Sequence, residues 1–250
     1  MSNKQPLAGQ TALVTGAARR IGAEIARQLH AEGARVALHY RSSADDAIEL
    51  KDSLNAVRED SAEVFAADLL HTEQLPDLVA NVVRWSGGLN ILVNNASSFY
   101  PTPVGSISEA DWTDLMGSNL KAPMFLTQAA FAHLLEDGGS VVNIVDIHAR
   151  RPLSRHVVYG PAKAALEMLT KTLAKELAPE VRVNGVSPGA ILWPEQGLDG
   201  GAKQSILEQI PLGRCGHPSD IAGCVLFLVR DAGYVTGQVI AVDGGRSLGW

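Results

Sequence analysis

Cysteine is scarce in this chain of 250 residues: there are two thiols, Cys215 and Cys224, without CxxC spacing. That argues against a disulfide framework or a paired redox centre and fits a reduced, cytoplasmic setting. The N-terminal stretch has no apolar core either, so no secretory leader is expected. No apolar run reaches the length that crosses a bilayer, so no membrane partner is expected. Positive charge is not in excess. The net charge is −6 and the pI about 5.6, which argues against a nucleic-acid or anionic-membrane surface. The seven histidines show no HExxH or other ligand spacing, so no metal site is expected. There is no internal repeat, no low-complexity run and no linker rich in proline, glycine or serine.

What is present is an ordinary globular composition, 46% hydrophobic and 19% charged, with enough apolar residues for a sizeable core. Short apolar runs read as strands near 11–15, 34–40, 62–67, 90–94, 140–146, 181–186 and 238–242. Helical periodicity lies between most of them, near 20–32, 44–58, 73–86, 109–136 and 158–178. Strand–helix alternation means βαβ units and a parallel sheet covered by helices on both faces. The series predicts one α/β domain over residues 1–250, a doubly wound Rossmann-type sheet of seven strands. The rhythm fails over 190–217, where Trp193-Pro194, Gly197, Gly200-Gly201 and Pro211 read as a long loop with a short helix. Loops of that length in a compact domain are commonly functional.

Three stretches carry chemistry. Val14-Thr15-Gly16-Ala17-Ala18-Arg19-Arg20-Ile21-Gly22 follows the first strand and opens the first helix, the context that a dinucleotide site requires. Gly16 permits a tight turn and Gly22 close helix–strand packing, while the free N–H groups at the helix start suit a pyrophosphate. Arg20 offers a guanidinium fork to phosphate or to a polar substrate. The second strand ends His39-Tyr40-Arg41-Ser42-Ser43, with no carboxylate before Asp45. A carboxylate there binds the ribose 2′-hydroxyl of NADH. An imidazole, a guanidinium and two hydroxyls suit the 2′-phosphate of NADPH instead, so NADPH is the expected cofactor. Which of Arg41, Ser42 and Ser43 meets the phosphate stays open.

In the third stretch, Asn143-Ile144-Val145-Asp146 reads as a buried strand ending in a carboxylate. Tyr159 then opens a helix, and Lys163, four residues on, shares its face. A phenol has a reference pKa near ~10. A nearby ammonium favours the phenolate and would tune Tyr159 for proton transfer near neutral pH. Asp146 donates only when protonated. Burial raises its pKa and Lys163 opposes that, a balance the sequence leaves open. After the fourth strand come Ser98-Phe99-Tyr100-Pro101-Thr102-Pro103. The prolines stiffen this loop, and Phe99 is suited to stack on a flat ligand. Pro123 has no N–H for the carbonyl of Asn119, which predicts a kink or a carbonyl turned towards Lys163.

Together these motifs resemble the short-chain dehydrogenases/reductases over the whole chain. The residues that carry the likeness are the glycine turn at 15–22, Asp68-Leu69, Asn94-Asn95-Ala96, Tyr159 with Lys163, Val183 to Gly189 and Asp243-Gly244-Gly245. Arg20 stands where that family usually has a glycine, Ser97 likewise, and Asp146 where it usually has a serine. Those departures, with residues 39–43 and 94–103, resemble the pteridine reductases. Ala178-Pro179-Glu180-Val181 and the ending Asp243 to Leu248 are closer to the dihydromonapterin reductases. The resemblance implies a catalytic set of Asp146, Tyr159 and Lys163. It implies cofactor contacts from Gly16, Arg20, Ile21, His39, Tyr40, Arg41, Ser42, Asp68, Leu69, Asn95, Ala96, Ser97, Tyr159, Lys163, Pro188 and Gly189. It implies substrate contacts from Arg20, Ser97, Phe99, Asp146, Tyr159 and Trp193, with a pterin or folate lying between nicotinamide and Phe99. A homotetramer is implied as well, the C-terminal tail of one copy near a neighbour's site. The expected activity is NADPH-dependent reduction of dihydropterins, extending to oxidised pterins or folates. Two alternatives stand beside it. A reductase of 3-oxoacyl thioesters or small ketones would ordinarily carry a serine at Asp146. A non-catalytic NADPH-binding sensor would not need the intact Tyr159–Lys163 pair.

Overall fold

Alternate residues of the strands point to opposite faces, and here both faces are apolar. In β1 (Thr11–Val14), Ala12 and Val14 join one buried cluster and Leu13 the other. In β4 (Ile91–Asn94), Ile91 and Val93 face the first cluster and Leu92 the second. A strand buried on both sides belongs inside a parallel sheet covered twice by helices. The computed structural model describes residues 5–136, 138–192 and 200–249 and shows that arrangement. The other strands are β2 (Arg35–Tyr40), β3 (Ala62–Ala66), β5 (Ser140–Ile144), β6 (Arg182–Pro188) and β7 (Val239–Val242). All neighbours are parallel, in the order β3-β2-β1-β4-β5-β6-β7. The sheet is the seven-stranded, doubly wound one that the alternation predicts. Its order reverses between β1 and β4, and the carboxyl ends there open the crevice in which such sheets take ligands.

Helices α1 (Arg20–Ala31), α2 (Ala44–Val57), α3 (Leu75–Ser86) and α6 (Tyr159–Glu176) lie close to the predicted spans. The span 109–136 is not one helix. It divides into α4 (Glu109–Met116), a π turn over Gly117–Lys121, and α5 (Ala122–Glu136). The physical reason is Pro123, which gives Asn119 no N–H four residues on. The ladder widens by one residue, and the Ala122 N–H reaches the Gly117 carbonyl. α7 (Gly200–Glu208) supplies the short helix of the 190–217 segment; residues 193–199, Trp193 among them, lie outside the described residues.

A further helix, α8 (Pro218–Arg230), lies outside the predicted spans and packs along α1. Its middle, Cys224 to Val229, is an unbroken apolar run that hides helical period. Its ends were legible. Pro218 stands at the first turn, and Asp220 takes the His217 N–H at 2.8 Å. At the other end the Arg182 guanidinium donates to the carbonyls of Leu228, Val229 and Ala232 at 2.7, 3.0 and 3.1 Å. It satisfies acceptors that the helix end leaves without partners.

Candidate active site

The carboxyl ends of β1, β2 and β4 meet at a cavity of about 440 Å³. Its wall includes Gly16, Arg20 and Ile21 of the first turn and His39, Tyr40, Arg41 and Ser42 at the end of β2. Asp68, Leu69, Asn95, Ala96 and Ser97 complete it. Tyr159, Lys163, Pro188 and Gly189 do not line it.

The turn is held by side chains turned inwards. Thr15 Oγ1 accepts the N–H groups of Asn95 and Ala96 at 2.9 and 3.0 Å. Asn95 Nδ2 donates to the carbonyls of Thr15 and Gly16 at 2.8 and 3.1 Å. A Cβ on Gly22 would come within 2.2 Å of the Gly16 carbonyl oxygen, so helix and strand meet here at glycine distance. Thr15 was not singled out from sequence; its signal was only its place before Gly16.

His39 corrects an expectation. Its Nδ1 accepts the Gly16 N–H at 3.1 Å, and its Nε2 donates to the Ala67 carbonyl at 3.1 Å. The ring is buried, which drives its pKa down to about 4. It is therefore neutral at pH 7 with both nitrogens engaged, a brace between β2, β3 and the turn, not a phosphate ligand. The groups left for an anion at this end are Arg20, Arg41, Ser42 and Ser43. Arg41 is 3.9 Å from Asp114 and more than half exposed, so that pair is loose. Arg20 has φ +53°, in the left-handed region. This accounts for the usual glycine, because a side chain there costs about 1–2 kcal/mol. A glycine-opened turn at a helix start, two guanidinium groups and no carboxylate at the end of β2 together fit a nicotinamide dinucleotide phosphate.

The three residues expected to carry the chemistry, Asp146, Tyr159 and Lys163, meet just beyond the end of β5. The strand stops at Ile144, two residues short of the predicted end. Asp146 is extended and caps the single turn Ile147–Ala149: its Oδ1 accepts the His148 N–H at 2.8 Å. Its Oδ2 accepts the Tyr159 hydroxyl at 2.7 Å. Arg150 fastens this turn to α6 through a forked pair with Glu167, at 2.8 and 2.6 Å. Lys163 is buried; its Nζ donates to the Ile144 carbonyl at 2.8 Å and lies 5.8 Å from the centre of the Tyr159 ring. Burial lowers its pKa to about 8, against an opposing pull from Asp146.

Tyr159 departs from the expectation that Lys163 lowers its pKa. Burial and then the Asp146 carboxylate hold the phenol well above its ordinary value, with Ser97 pulling weakly the other way. Ionising it would set two anions 2.7 Å apart. Tyr159 and Asp146 form one coupled proton-holding pair.

Ser97 meets this group at the Tyr159 hydroxyl and is itself held by Asn119. Ser97 Oγ donates to Asn119 Oδ1 at 2.7 Å, and Asn119 Nδ2 donates to the Ser98 and Leu115 carbonyls at 2.9 and 3.0 Å. The side chain of Asn119, carried on the π turn, makes these contacts where sequence pointed to its carbonyl. Phe99 is 54% exposed and stands edge-on to Tyr159, ring centres 4.8 Å apart. One face of Phe99 stacks on His156 at 4.7 Å and 15°. His156 was not foreseen, and its only signal is its position three residues before Tyr159.

A family model described as enoyl-(acyl carrier protein) reductase matches residues 16–247. Pteridine reductase 1 of Leishmania tarentolae is 40% identical, covering 95% of this chain and 96% of that protein. An uncharacterised oxidoreductase of Methylorubrum extorquens is 37% identical, covering 96% and 98%. A 3-oxoacyl-[acyl-carrier-protein] reductase of Staphylococcus epidermidis is 36% identical, covering 94% and 98%.

Proposed function

The chain belongs to the short-chain dehydrogenase/reductase family and is an NAD(P)H-dependent oxidoreductase; from that premise we propose that it reduces pterins with NADPH. The observation that carries this reading is the 2.7 Å hydrogen bond from Tyr159 to Asp146. Ketone reduction builds negative charge on an oxygen, and a carboxylate at that place opposes it. Reduction of a ring C=N needs a proton on nitrogen, which an acid pair supplies.

When bound, NADPH supplies a hydride to a ring carbon. Arg20, Arg41 and Ser42 would hold its phosphates, and Asp68, Leu69, Asn95 and Ala96 its adenosine side. Tyr159 and Lys163 would hold the nicotinamide ribose, Pro188 and Gly189 the amide. Phe99, Arg20, Ser97 and Trp193 would hold the pterin. The pair supplies or relays one proton to the ring nitrogen, and the Tyr159–Asp146 hydrogen bond holds the charge left behind. Lys163 keeps a cation behind this pair without touching it. The exposed apolar side chains of Met124 and Phe131 on α5 and Met168 on α6 support assembly with further copies, for which we propose a homotetramer. We place the enzyme in the cytoplasm as one domain whose 190–217 segment is the substrate loop.

The likeness to the staphylococcal reductase supports a second reading, reduction of 3-oxoacyl thioesters. NADPH and NADH oxidation against dihydrobiopterin, dihydromonapterin, dihydrofolate and an acetoacetyl thioester separates the two. The pterins should be turned over, with NADPH ahead of NADH by at least about tenfold in kcat/KM. Turnover of the thioester alone overturns the pterin reading.

A further inference from the structure

The protein carries a net charge of −6, yet one cavity beside the reacting pair is positive. It measures about 920 Å³, and its wall begins at Ile147 and His148, the residues directly after Asp146. Among the described residues, three arginines line it, Arg150, Arg151 and Arg246, against one carboxylate, Glu208. Arg150 shares its charge with Glu167, and Lys171 meets the same carboxylate at 2.7 Å, so that group keeps a positive balance. Arg246 meets only the amide oxygen of Gln209, at 3.3 Å, among its described side-chain partners. Arg151 donates to the Gly249 carbonyl, which ties the chain's end to the cavity rim. The floor is anchored to the chemistry, because the His148 N–H holds Asp146 Oδ1 at 2.8 Å.

An acidic protein has no packing reason to gather arginines around a cavity next to the Tyr159–Asp146 pair. Fixed cations there raise the local concentration of an anionic ligand. We propose that this cavity is an anion subsite for the tail of the substrate, beyond the ring that reacts. The chemistry it recognises is a carboxylate or phosphate on a flexible arm. Two sources fit, the glutamyl carboxylates of a folate or the phosphates of a thioester carrier. The inference rests on the reductase reading for where the reacting ring lies, and it makes Arg246 a specificity-determining residue.

The test pairs substrates that share a reacting group and differ in the tail. Dihydrofolate is compared with dihydrobiopterin, and acetoacetyl-CoA with its N-acetylcysteamine counterpart, in the wild type and in Arg246→Gln, Arg246→Glu and Arg246→Lys. Arg246→Gln should raise KM for the tailed member of one pair by about fivefold to tenfold, the loss of one partly exposed charge-assisted contact. Its kcat and both constants for the tail-free member should move by less than about twofold, as expected of a contact remote from the reacting atoms. Arg246→Glu should act more strongly, and Arg246→Lys should restore most of the loss. Raising salt from ~50 to ~500 mM should weaken only the tailed member. The pair that responds identifies the source of the anion. Equal shifts for tailed and tail-free members, or no shift in either, overturn the subsite. If no substrate is turned over, the reductase reading fails by itself. Calorimetric binding of p-aminobenzoyl-glutamate then decides. Binding to the wild type that Arg246→Glu abolishes supports the subsite, and no binding to the wild type overturns it.

Discussion

At the nucleotide end of the crevice, polar side chains spend their hydrogen bonds on the backbone; at the other end two side chains, Tyr159 and Asp146, bond to each other as well. Thr15, Asn95 and His39 are tied to backbone groups of the glycine turn or of the residues just after β3 and β4. None of the three is left to titrate near neutral pH. Asp146 and Tyr159 bond to each other, and Lys163, at their back, has its pKa lowered to about 8. The contrast follows from what each end must do. A phosphate cradle works by fixed geometry, so neutral, saturated braces suit it. A proton-transfer site needs groups whose charge state changes, and two of them in contact are the simplest way to displace pKa values.

The largest test strikes the reacting end. Asp146→Ser should lower pterin turnover by on the order of 10²-fold while leaving NADPH affinity nearly unchanged. It should also let the Tyr159 pKa fall towards its ordinary value, since the carboxylate beside it is gone; ultraviolet titration of tyrosinate reads this. Full pterin activity in Asp146→Ser, with activity lost in Tyr159→Phe, would make Asp146 a strand-end cap and no more.

Lys163 gives the next effect, in stability. Its folded pKa is depressed, so its favourable contribution is present above its ordinary value of 10.5 and is lost as pH falls through about 8. At pH 7 the buried charge therefore opposes folding. Lys163→Met should be more stable than the wild type at neutral pH by on the order of 2 kcal/mol, and inactive. The advantage should shrink between about pH 8 and 10.5. Tyr159 runs the other way. Its raised pKa gives a contribution present below its ordinary value of 10 and lost only as pH climbs through the higher folded value. Parallel stability curves for wild type and Lys163→Met across this range would show that folding leaves the Lys163 pKa where the unfolded chain has it.

These two tests also mark where the sequence was readable. The sheet was legible because alternate residues such as Ala12, Leu13 and Val14 are all apolar, a pattern that only burial on both faces explains. The positions of Tyr159 and Lys163 were legible from helical spacing. What their proximity does to the phenol was not, because the sign depends on which charge lies nearer. Asp146 is at hydrogen-bond distance and Lys163 is directed at the Ile144 carbonyl. His39 was misjudged for a similar reason. Residue type suggested a phosphate ligand, whereas the partners of its two nitrogens come from Gly16 and Ala67, distant in sequence. His156 and the Ser97–Asn119 bond likewise arise where separate loops meet.

A smaller effect is expected at the boundary between the two ends. Phe99 stands edge-on to Tyr159 with one face on His156. Phe99→Ala should raise pterin KM by roughly tenfold, the stacking energy plus lost area, with little change for NADPH. Phe99→Trp should restore most of it. Unchanged pterin kinetics in Phe99→Ala would remove the aromatic wall from the site.

The smallest expected change in stability is the most informative about the nucleotide end. Arg20 is the one member of the cradle whose backbone and side chain make opposite demands. Its φ of +53° is a conformation that glycine takes without strain. Arg20→Gly relieves about 1–2 kcal/mol in the folded state, and the freer unfolded chain offsets roughly 0.5–1 kcal/mol of that. The net is a gain of at most about 1.5 kcal/mol, a rise of a few degrees in Tm. If Arg20 were only a tolerated irregularity, that gain would be the whole outcome. If its guanidinium faces phosphate or pterin, the same change should weaken NADPH binding by about tenfold, one charge-assisted contact. Arg20→Ala keeps the strain and loses the guanidinium, so it should match Arg20→Gly in affinity and fall below it in Tm. Equal NADPH affinity in wild type and Arg20→Gly, with the Tm gain present, would move Arg20 out of the site. The anion-binding role would then fall to Arg41, Ser42 and Ser43.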